Sequence, residues 1–589
     1  MLPRAWSFLS TVISLLIISA VVAGAQTSSH GFAVPTAAPQ PATPPQPAIA
    51  PEVHEQRKIL SAGQAAQARA HAIALAALGR GNAAYLRRQY AAAVAQYTLA
   101  LRAEPTNVYA YVNRGQSYNN LRRFDTAITD FSAALRINPK FAVAYWGRGG
   151  AYDNERRWQQ GLADENKALA LNPNYQLAHV ERGYIYNSLG NYDAAIADFT
   201  AGLRSGPNAI AYFDRGYAYN AKQQFDLAIA DFSAALRIGP FIQAYNGRGY
   251  SYYNKGQFDL AITDFTSSLN IDATQADDFR MRGLAHLSKN EAQPAIADET
   301  QALRLFPNYE LADDARCGAY LQNVQYDLAI ADCSAALALV PNDAYAHYGR
   351  GLAYLNDKQY DSAIADFTAA IGLNGNYIAA YANRGDAYSD EARFDEAIAD
   401  YTTVIRLAPN AAYTYVSRGS MYDDEGRDDL AMADYDQALR LDPNLAFAHH
   451  NRGTLFFDAA RFGDAVTELQ QSIAGNPKDA YAVLYLAMAQ SRIGRVNVAQ
   501  LTSMQAALDD QWPARVVLLW LNQITADQVV QLATDDQERC EATFYVAEWH
   551  LSQHARTAGA ELNRAVSICP HNYYEYVTAR AEVKRLGGS

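Results

Sequence analysis

The stretch that decides the fold is residues 108–141, VYAYVNRGQSYNNLRRFDTAITDFSAALRINPKF, because copies of it recur along most of the 589-residue chain. Its Arg-Gly dipeptide returns every 34 residues, with two steps of 33 around Arg215. The dipeptide begins at Arg80, Arg114, Arg148, Arg182, Arg215, Arg248, Arg282, Arg350, Arg384, Arg418 and Arg452, and one altered copy reads Arg316-Cys317. Self-similarity at this period predicts a stack of helical hairpins, each of which needs neighbours to bury its apolar face.

Each unit is predicted to contain two helices. If Val108 is position 1, then the aromatic positions 4 and 11 stand four and three residues from the glycine at position 8, on one helical face. The second helix opens with an aromatic residue and an aspartate, Phe124-Asp125 in this copy, and we expect the aspartate to be its N-cap. A proline near position 32 ends the unit, because proline cannot continue a helix.

The aromatic, Gly, Tyr, Ala, Phe, Ala and Pro residues at positions 4, 8, 11, 20, 24, 27 and 32 resemble the tetratricopeptide repeat (TPR), in twelve units over residues 74–479. The resemblance implies an all-α, right-handed α-solenoid that binds protein partners. One departure is systematic, since arginine occupies position 7, where the family usually has leucine. Position 23 is acidic along the array, so we expect bidentate pairs such as Arg114–Asp130, with an anion-binding stripe of arginines as the alternative.

The amino-terminal end has the features of an exported protein. Residues 1–25 read as a signal peptide with cleavage after Ala25, which predicts a periplasmic or secreted protein; an uncleaved membrane anchor is the alternative. Residues 26–52 form a Pro/Ala-rich linker, and residues 53–73 are predicted to be an N-terminal helix.

The repeat pattern weakens after residue 479. We expect a degenerate repeat over 480–513, a connecting helix over 514–537, and a helical hairpin with a capping helix over 538–589, as the end of a solenoid requires. This tail is similar to those of exported bacterial TPR proteins and faintly similar to the NlpI-like lipoproteins, which are adaptors for cell-wall hydrolases. No cysteine stands directly after the apolar amino-terminal segment, so we expect no lipid attachment there.

The four cysteines are predicted to form two disulfides. Cys317 and Cys333 occupy positions 8 and 24 of one unit, which face each other in an antiparallel hairpin. Cys540 begins and Cys569 ends the last predicted hairpin, and an exported protein would oxidise both pairs. Buried free thiols are the alternative.

Nothing in the sequence favours catalysis, so we expect no enzyme activity, no cofactor and no metal. The chain has no phosphate-binding loop, nucleophile elbow or zinc-protease motif. His550 and His554 share a helix face, but a surface pair is a simpler interpretation than a metal site. The acidic run at 423–429 does not have the spacing of an EF-hand and is expected to be a solvated turn rather than a calcium site.

A formal net charge of -12 disfavours nucleic acid or an anionic membrane as partner.

The resemblance also implies that positions 2, 5, 9, 12 and 13 of the first helices line the inner surface of the solenoid. These positions carry the candidate peptide-binding residues Trp146, Tyr184, Asn187, Phe213, Tyr217, Asn220, Tyr250, Tyr253 and Asn254. Aromatic rings supply contact area at low entropic cost, and asparagine side chains can bond an extended backbone. Two alternatives remain open: the rings pack between adjacent helices, or they are simply shared by recently duplicated units.

The sequence therefore predicts a non-catalytic scaffold that binds extended protein segments in the cell envelope. A regulatory subunit of an envelope polysaccharide-synthesis or cell-wall hydrolase complex is the alternative. Farther along, the predicted inner surface becomes acidic at Asp386, Asp390, Asp423 and Asp424. A partner segment with an apolar stretch followed by basic residues would match this gradient.

Overall fold

Hairpins of two helices follow one another along the chain, as the 34-residue period predicts. The computed structural model describes residues 62–509, 511–570 and 574–587, and all regular structure within these ranges is helical. The predicted signal peptide and linker lie outside the described residues, as does the start of the predicted N-terminal helix. The described residues divide at Pro307 into an N-terminal and a C-terminal unit, each with its own hairpins.

The N-terminal unit contains fourteen helices within its described part. They are α1 Ala62–Leu86, α2 Tyr90–Ala103, α3 Val108–Asn120, α4 Phe124–Ile137, α5 Ala142–Asn154, α6 Trp158–Leu171, α7 Gln176–Ser188, α8 Tyr192–Leu203, α9 Ala209–Ala221, α10 Phe225–Ile238, α11 Ile242–Asn254, α12 Phe258–Ile271, α13 Ala276–Ser288 and α14 Ala292–Leu305. Each odd-numbered helix packs against the even-numbered helix that follows it, and first helices of neighbouring hairpins also contact each other.

The C-terminal unit continues the same pattern and then departs from it. Its hairpin helices are α15 Glu310–Gln322, α16 Tyr326–Leu339, α17 Ala344–Asn356, α18 Tyr360–Leu373, α19 Ile378–Asp390, α20 Phe394–Leu407, α21 Ala412–Asp424, α22 Asp428–Leu441, α23 Ala446–Asp458 and α24 Phe462–Gly475. The terminal helices are α25 Ala480–Arg492, α26 Val498–Gln505, a 3₁₀ turn Ala514–Val516, α27 Val517–Trp520, α28 Ala526–Leu532, α29 Asp536–Ser552, α30 Ala558–Ile568 and α31 Tyr574–Arg585.

A residue with left-handed backbone ends the first helix of each regular hairpin. At position 15 of the quoted unit, Arg122 has a φ of 58°, and the N–H of Arg123 donates to the carbonyl of Tyr118 at 2.9 Å. This 6→1 bond is the Schellman arrangement, which satisfies carbonyls left over at the end of the helix. Only some hairpins place glycine there, and Val324 adopts the same backbone with a φ of 58°.

The expectation that the aspartate of the aromatic-Asp pair is the N-cap is wrong. Helix α4 begins one residue earlier, at Phe124, with Arg123 as an N-cap that makes no side-chain capping bond. Asp125 therefore lies in the first turn, where its charge favours the positive end of the helix dipole without capping it. Three residues, 121–123, separate the two helices, and only Arg123 lies between the left-handed Arg122 and the start of α4, so the second helix begins before Asp125.

The ring at position 24 explains why glycine recurs at position 8. A Cβ added to Gly115 would lie 3.0 Å from the ring of fully buried Phe131, and one added to Gly147, at position 6 of the next hairpin, would lie 2.5 Å from it. The ring of one hairpin thus fills the space left by two glycines. This contact closes both the hairpin and its junction with the next hairpin.

The predicted pairing of positions 7 and 23 is confirmed, and it lies within each hairpin. Arg114 donates from Nε and Nη2 to the two carboxylate oxygens of Asp130 at 2.8 and 2.7 Å. Its Nη1 donates to Thr98 of the preceding hairpin at 3.1 Å, so that the guanidinium also joins neighbouring hairpins. Equivalent pairs are Arg148–Asp164, Arg182–Asp198, Arg215–Asp231, Arg248–Asp264, Arg282–Asp298, Arg316–Asp332, Arg350–Asp366, Arg384–Asp400, Arg418–Asp434 and Arg452–Glu468. These arginines are therefore occupied by structural bonds.

Both predicted cysteine pairs are disulfide-bonded in the structure. Cys317 and Cys333 join the two helices of one hairpin with a Cα–Cα distance of 5.5 Å. Cys540 and Cys569 join α29 to the residue after α30 with a Cα–Cα distance of 5.0 Å, and we call this bond the cap disulfide. All four sulfur atoms belong to buried residues.

The predicted ends of the array need two corrections. The predicted N-terminal helix does not stand apart, because from Ala62 it runs unbroken into the first helix of the first repeat, ending at Leu86. The predicted connecting helix over 514–537 is instead a 3₁₀ turn and two short helices. Asn522, with a φ of 56°, interrupts the helical structure there, and Thr525 caps the next helix with a capping box. No helix in the described ranges has both the length and the apolar character needed to cross a membrane.

Candidate functional site

The first helices α5, α7, α9 and α11 present one shared face, which we call the first-helix wall, where the TPR resemblance places the binding residues. Tyr184, Tyr217 and Tyr250 stand at position 9 of three successive hairpins, one turn after the position-5 residues. All three are half-buried. Burial raises the pKa of Tyr184 and of Tyr217 above the usual value for tyrosine. The three rings thus combine fixed packing with remaining solvent exposure, as a contact surface requires.

Three other predicted groove residues pack against rings on adjacent elements of the array. The Trp146 ring lies 5.9 Å from that of Tyr175, measured between ring centroids, and Trp146 is 6% exposed. Phe213 packs against Phe232 on the second helix of its own hairpin at 5.8 Å, and against Phe241, just before the next hairpin, at 5.5 Å. Tyr253 is 4% exposed and packs against Phe258 of its own hairpin. The alternative that rings pack between adjacent helices therefore applies to Trp146, Phe213 and Tyr253.

The predicted asparagines bond to the protein's own backbone. Asn187 donates through Nδ2 to the carbonyl of Asp214 at 2.9 Å, and Asn220 donates to the carbonyl of Gly247 at 3.1 Å. Each of these bonds joins the first helix of one hairpin to that of the next. Asn254 bonds within its own helix, to the carbonyl of Tyr250 at 2.8 Å. These amide donors are thus committed to the fold.

An acidic cluster lies beside Tyr184. It consists of Asp153 on α5, Glu165 on α6, Glu181 on α7 and Asp214 on α9. Asp153 is buried and Glu165 is fully buried, whereas Glu181 and Asp214 are half-buried. Within the described ranges, both oxygens of Glu165 and one oxygen of Asp153 have no hydrogen-bond partner.

Burial dominates the protonation of this cluster, and mutual repulsion adds to it. Burial, reinforced by the charges of Glu181 and Asp214, raises the pKa of Asp153 to about 8. Burial also raises the pKa of Glu181 and of Asp214 to about 7, and the Glu181 charge adds to the shift of Asp214. The pKa of Glu165 is raised well above its usual value by burial and then by the Glu181 charge. Asp153, Glu181 and Asp214 therefore titrate near neutral pH, where carboxylates are normally fully ionised.

None of these four residues is among the candidates predicted from the sequence. Glu181 and Asp214 stand at position 6 of successive units, a position that carries no consistent residue type. A signal was present, since Glu165 replaces the aromatic residue of position 24. Most units carry a ring at this position and Glu299 is a second carboxyl there, so both glutamates depart from the usual packing.

The remaining acidic and histidine candidates have structural neighbours. His550 accepts or donates a bond through Nδ1 with Glu561 at 2.7 Å. In the acidic run near 423, Asp423 is buried rather than solvated as expected, and burial raises its pKa well above the usual value. In the described part of the chain, ligand atoms within 4.8 Å of one another, as a metal would require, are found for Glu310, Asp314 and Asp343.

Comparison with known proteins agrees with the repeat architecture. Sequence profiles of the tetratricopeptide repeat match residues 108–141, 180–241, 242–275, 319–378, 378–411 and 450–515, and a TPR repeat profile matches residues 419–459. Together these matches cover more than half of the sequence. The chain therefore belongs to the tetratricopeptide repeat proteins. No curated protein sequence matches it.

Several solved structures of repeat proteins are similar to this chain. The APC/C hetero-tetramer Cut9-Hcn1 aligns with a TM-score of 0.38 and 14% identity, over 72% of this chain and 98% of that chain. Yeast Tom70 aligns with a TM-score of 0.32 and 17% identity, over 78% of this chain and 98% of that chain. YrrB, described as a TPR protein with an unusual peptide-binding site, aligns with a TM-score of 0.29 and 24% identity, over 31% and 95%.

Proposed function

We propose that this TPR scaffold acts in the cell envelope and binds an extended segment of a partner protein along the first-helix wall. The observation that carries the proposal is the row of half-buried rings at Tyr184, Tyr217 and Tyr250, repeated once per hairpin. A row with this repeat suits an extended chain, because such a chain can place side chains at regular intervals along successive hairpins.

The packing of the neighbouring residues supports the same proposal. The rings of Trp146 and Phe213 pack against the rings of Tyr175 and Phe232. The Asn187 and Asn220 amides each bond to the backbone of the first helix in the next hairpin. A wall held this firmly loses little conformational entropy when a ligand binds. Binding energy from the tyrosines would then appear as affinity rather than being offset by ordering of the wall.

Two features support a location outside the cytoplasm. Residues 1–25 have the pattern of a signal peptide. Both disulfides are consistent with an oxidising compartment, since reducing conditions in the cytosol keep such thiols unbonded. An envelope location restricts the candidate partners to exported or membrane-attached proteins.

A crosslinking capture experiment tests the proposal. The triple variant Tyr184→Ala, Tyr217→Ala, Tyr250→Ala should lose the partner that wild-type protein captures from the native envelope, while circular dichroism shows unchanged helicity. Leu227→Ala with Leu260→Ala, which truncates exposed side chains on second helices, is the matched control and should retain capture. Equal capture by the tyrosine variant and by wild type would refute the assignment of the wall.

A further inference from the structure

The acidic cluster of Asp153, Glu165, Glu181 and Asp214 replaces a packing motif used elsewhere in the N-terminal unit. At two junctions between hairpins, a buried ring at position 24 fills the space above glycine at position 6 of the next hairpin, as Phe232 does with Gly247. At the junction between α6 and α7, the corresponding residues are Glu165 and Glu181. Two carboxyl groups that repel each other thus occupy the positions where, at those other junctions, an apolar ring packs on a glycine.

This region has too few hydrogen-bond donors for its acceptors. Glu165 is fully buried, yet among the described residues neither of its oxygens accepts a hydrogen bond. In the same part of the chain one oxygen of Asp153, which is 7% exposed, and the amide oxygen of Asn187 have no hydrogen-bond partner. Buried acceptors without donors are costly, so a ligand that supplies donors would be strongly favoured here.

The cations nearest to the cluster are already committed to the fold. Arg182, whose charge acts on Glu165, donates to both oxygens of Asp198 at 2.7 and 2.6 Å and to Asn166 at 2.6 Å. Arg148 of the preceding hairpin donates in the same way to Asp164 and to Ser132. Neither guanidinium is available to neutralise the cluster.

We propose that the acidic cluster binds the guanidinium of an arginine that the partner segment presents to the first-helix wall, so that the partner is a peptide with a basic residue beside its apolar contacts. The proposal rests on the proposed function. Tyr184 lies within electrostatic range of Asp153, Glu181 and Asp214, which places the cluster at the end of the tyrosine row. An arginine there would donate to the carboxylates and could stack on the Tyr184 ring.

The size of the cluster favours a guanidinium over a metal ion. In the described residues, the set of carboxylates whose ligand atoms all come within 4.8 Å of one another is Glu310, Asp314 and Asp343, and no trio of the acidic cluster meets this limit. A metal ion needs its ligands closer together than that spacing allows. A guanidinium has five donors on a planar group and can reach carboxylates that stand farther apart.

Arginine binding should become stronger as pH rises through neutrality. The titratable groups that face the cluster are Asp153 on α5, Asp164 and Glu165 on α6, Glu181, Arg182 and Tyr184 on α7, Asp214 on α9, and Tyr175 just before α7. Arg182 stays charged throughout, and the tyrosines stay neutral. The carboxyl groups of Asp153, Glu181 and Asp214 are therefore the ones that change, and their ionisation increases the attraction for a cation.

The test uses the full mature chain and two labelled probes, acetyl-Leu-Ala-Arg-Ala-Leu-amide and the same peptide with citrulline in place of arginine. Citrulline keeps the shape of arginine but lacks its charge. Thermophoresis at pH 6 and pH 8.5 should show about tenfold tighter binding of the arginine probe than of the citrulline probe at pH 8.5, and a smaller difference at pH 6. Equal affinities for the two probes at pH 8.5 would overturn the proposal.

A charge-matched pair of variants locates the site. Asp153→Asn, Glu181→Gln, Asp214→Asn should lose the arginine preference, and because these changes remove repulsion they should not impair folding. The control Asp193→Asn, Asp226→Asn, Asp259→Asn removes the same charge from side chains that are 81%, 82% and 83% exposed, and it should keep the preference. Loss in both variants would show general electrostatic attraction and would contradict the proposal.

Two further arms separate the possible outcomes. Spermidine should compete weakly with the arginine probe; if spermidine binds to the cluster while the peptide does not, the site takes free polycations and the proposal is wrong. In the envelope capture experiment, loss of the partner in the tyrosine variant but not in the cluster variant would leave the proposed function standing and refute the arginine site alone.

Discussion

The substitution Glu181→Gln should stabilise the junction between α6 and α7 more at pH 8 than at pH 5. Burial raises the pKa of Glu181 from 4.5 to about 7 in the folded protein. Between these two values the unfolded chain loses a proton that the folded chain keeps, so the free energy of unfolding falls as pH rises. Above the folded pKa both states are ionised and the slope ends. Glutamine cannot ionise and is free of this cost.

The magnitude follows from the size of the pKa difference. A rise of 2.5 units, 7 minus 4.5, corresponds to about 3.4 kcal/mol when the carboxyl is ionised in both states, because one unit is worth about 1.4 kcal/mol. About 0.8 kcal/mol of this cost is already present at pH 5, since the unfolded carboxyl is then mostly ionised. Glu181 retains some solvent contact, so we reduce the remaining difference and expect the gain from Glu181→Gln to be about 2 kcal/mol larger at pH 8 than at pH 5.

Native-state hydrogen exchange of the amides in α7 measures this difference locally. Local measurement matters because an array of hairpins does not unfold in one step, so a single melting temperature would mix contributions from distant repeats. Asp193→Asn, on the neighbouring helix α8 with an exposed side chain, is the control and should show no pH-dependent gain. A gain from Glu181→Gln that is the same at both pH values would refute the role assigned to the raised pKa.

Three further predictions concern what holds the hairpins together. Arg248→Met leaves the nearly buried Asp264 carboxylate without its partner, so the local free energy of opening in α11 should fall by about 3–5 kcal/mol in hydrogen exchange, and adding Asp264→Leu should restore most of it. Val324→Gly should stabilise its hairpin by about 1 kcal/mol in the same measurement, because a β-branched residue with a φ of 58° is strained and this side chain is 67% exposed; destabilisation would contradict that. Replacing both cysteines of the cap disulfide by serine should lower the stability of α29 and α30 by about 3 kcal/mol in urea unfolding followed by tryptophan fluorescence, and no change would argue against a structural role.

Most of the hairpin architecture could be predicted because it depends on spacings within one unit. The Arg114–Asp130 pair follows from repeat positions 7 and 23, which lie at the same height in an antiparallel hairpin. The pairing of Cys317 with Cys333 follows from the same geometry. The segment 514–537 could not be predicted in this way, because it has no repeat to compare with. Its breaks depend on individual residues such as Asn522 and Thr525.

The candidate site was harder to predict because its contacts cross from one hairpin to the next. The repeat pattern singled out Tyr184, Tyr217 and Tyr250, which share position 9 on the first-helix wall. It did not reveal that Asn187 donates to the backbone of the next hairpin, since helical periodicity gives neighbours within a helix only. For the same reason the sequence shows Glu165 only as one residue that departs from the usual aromatic of position 24. Its significance depends on Gly149 and Glu181, which approach it from two different helices.

The acidic cluster is costly in a place where the array can tolerate the cost. In a stack of hairpins each unit interacts mainly with its neighbours, so an unfavourable junction between α6 and α7 weakens that junction and leaves the others intact. Sequences usually break a local packing rule at a functional site or through neutral drift. The two explanations differ in their consequences for Glu181→Gln. Under drift, the substitution gains stability at pH 8 and loses nothing; if the cluster serves recognition, the same gain in stability is accompanied by weaker binding of the arginine probe.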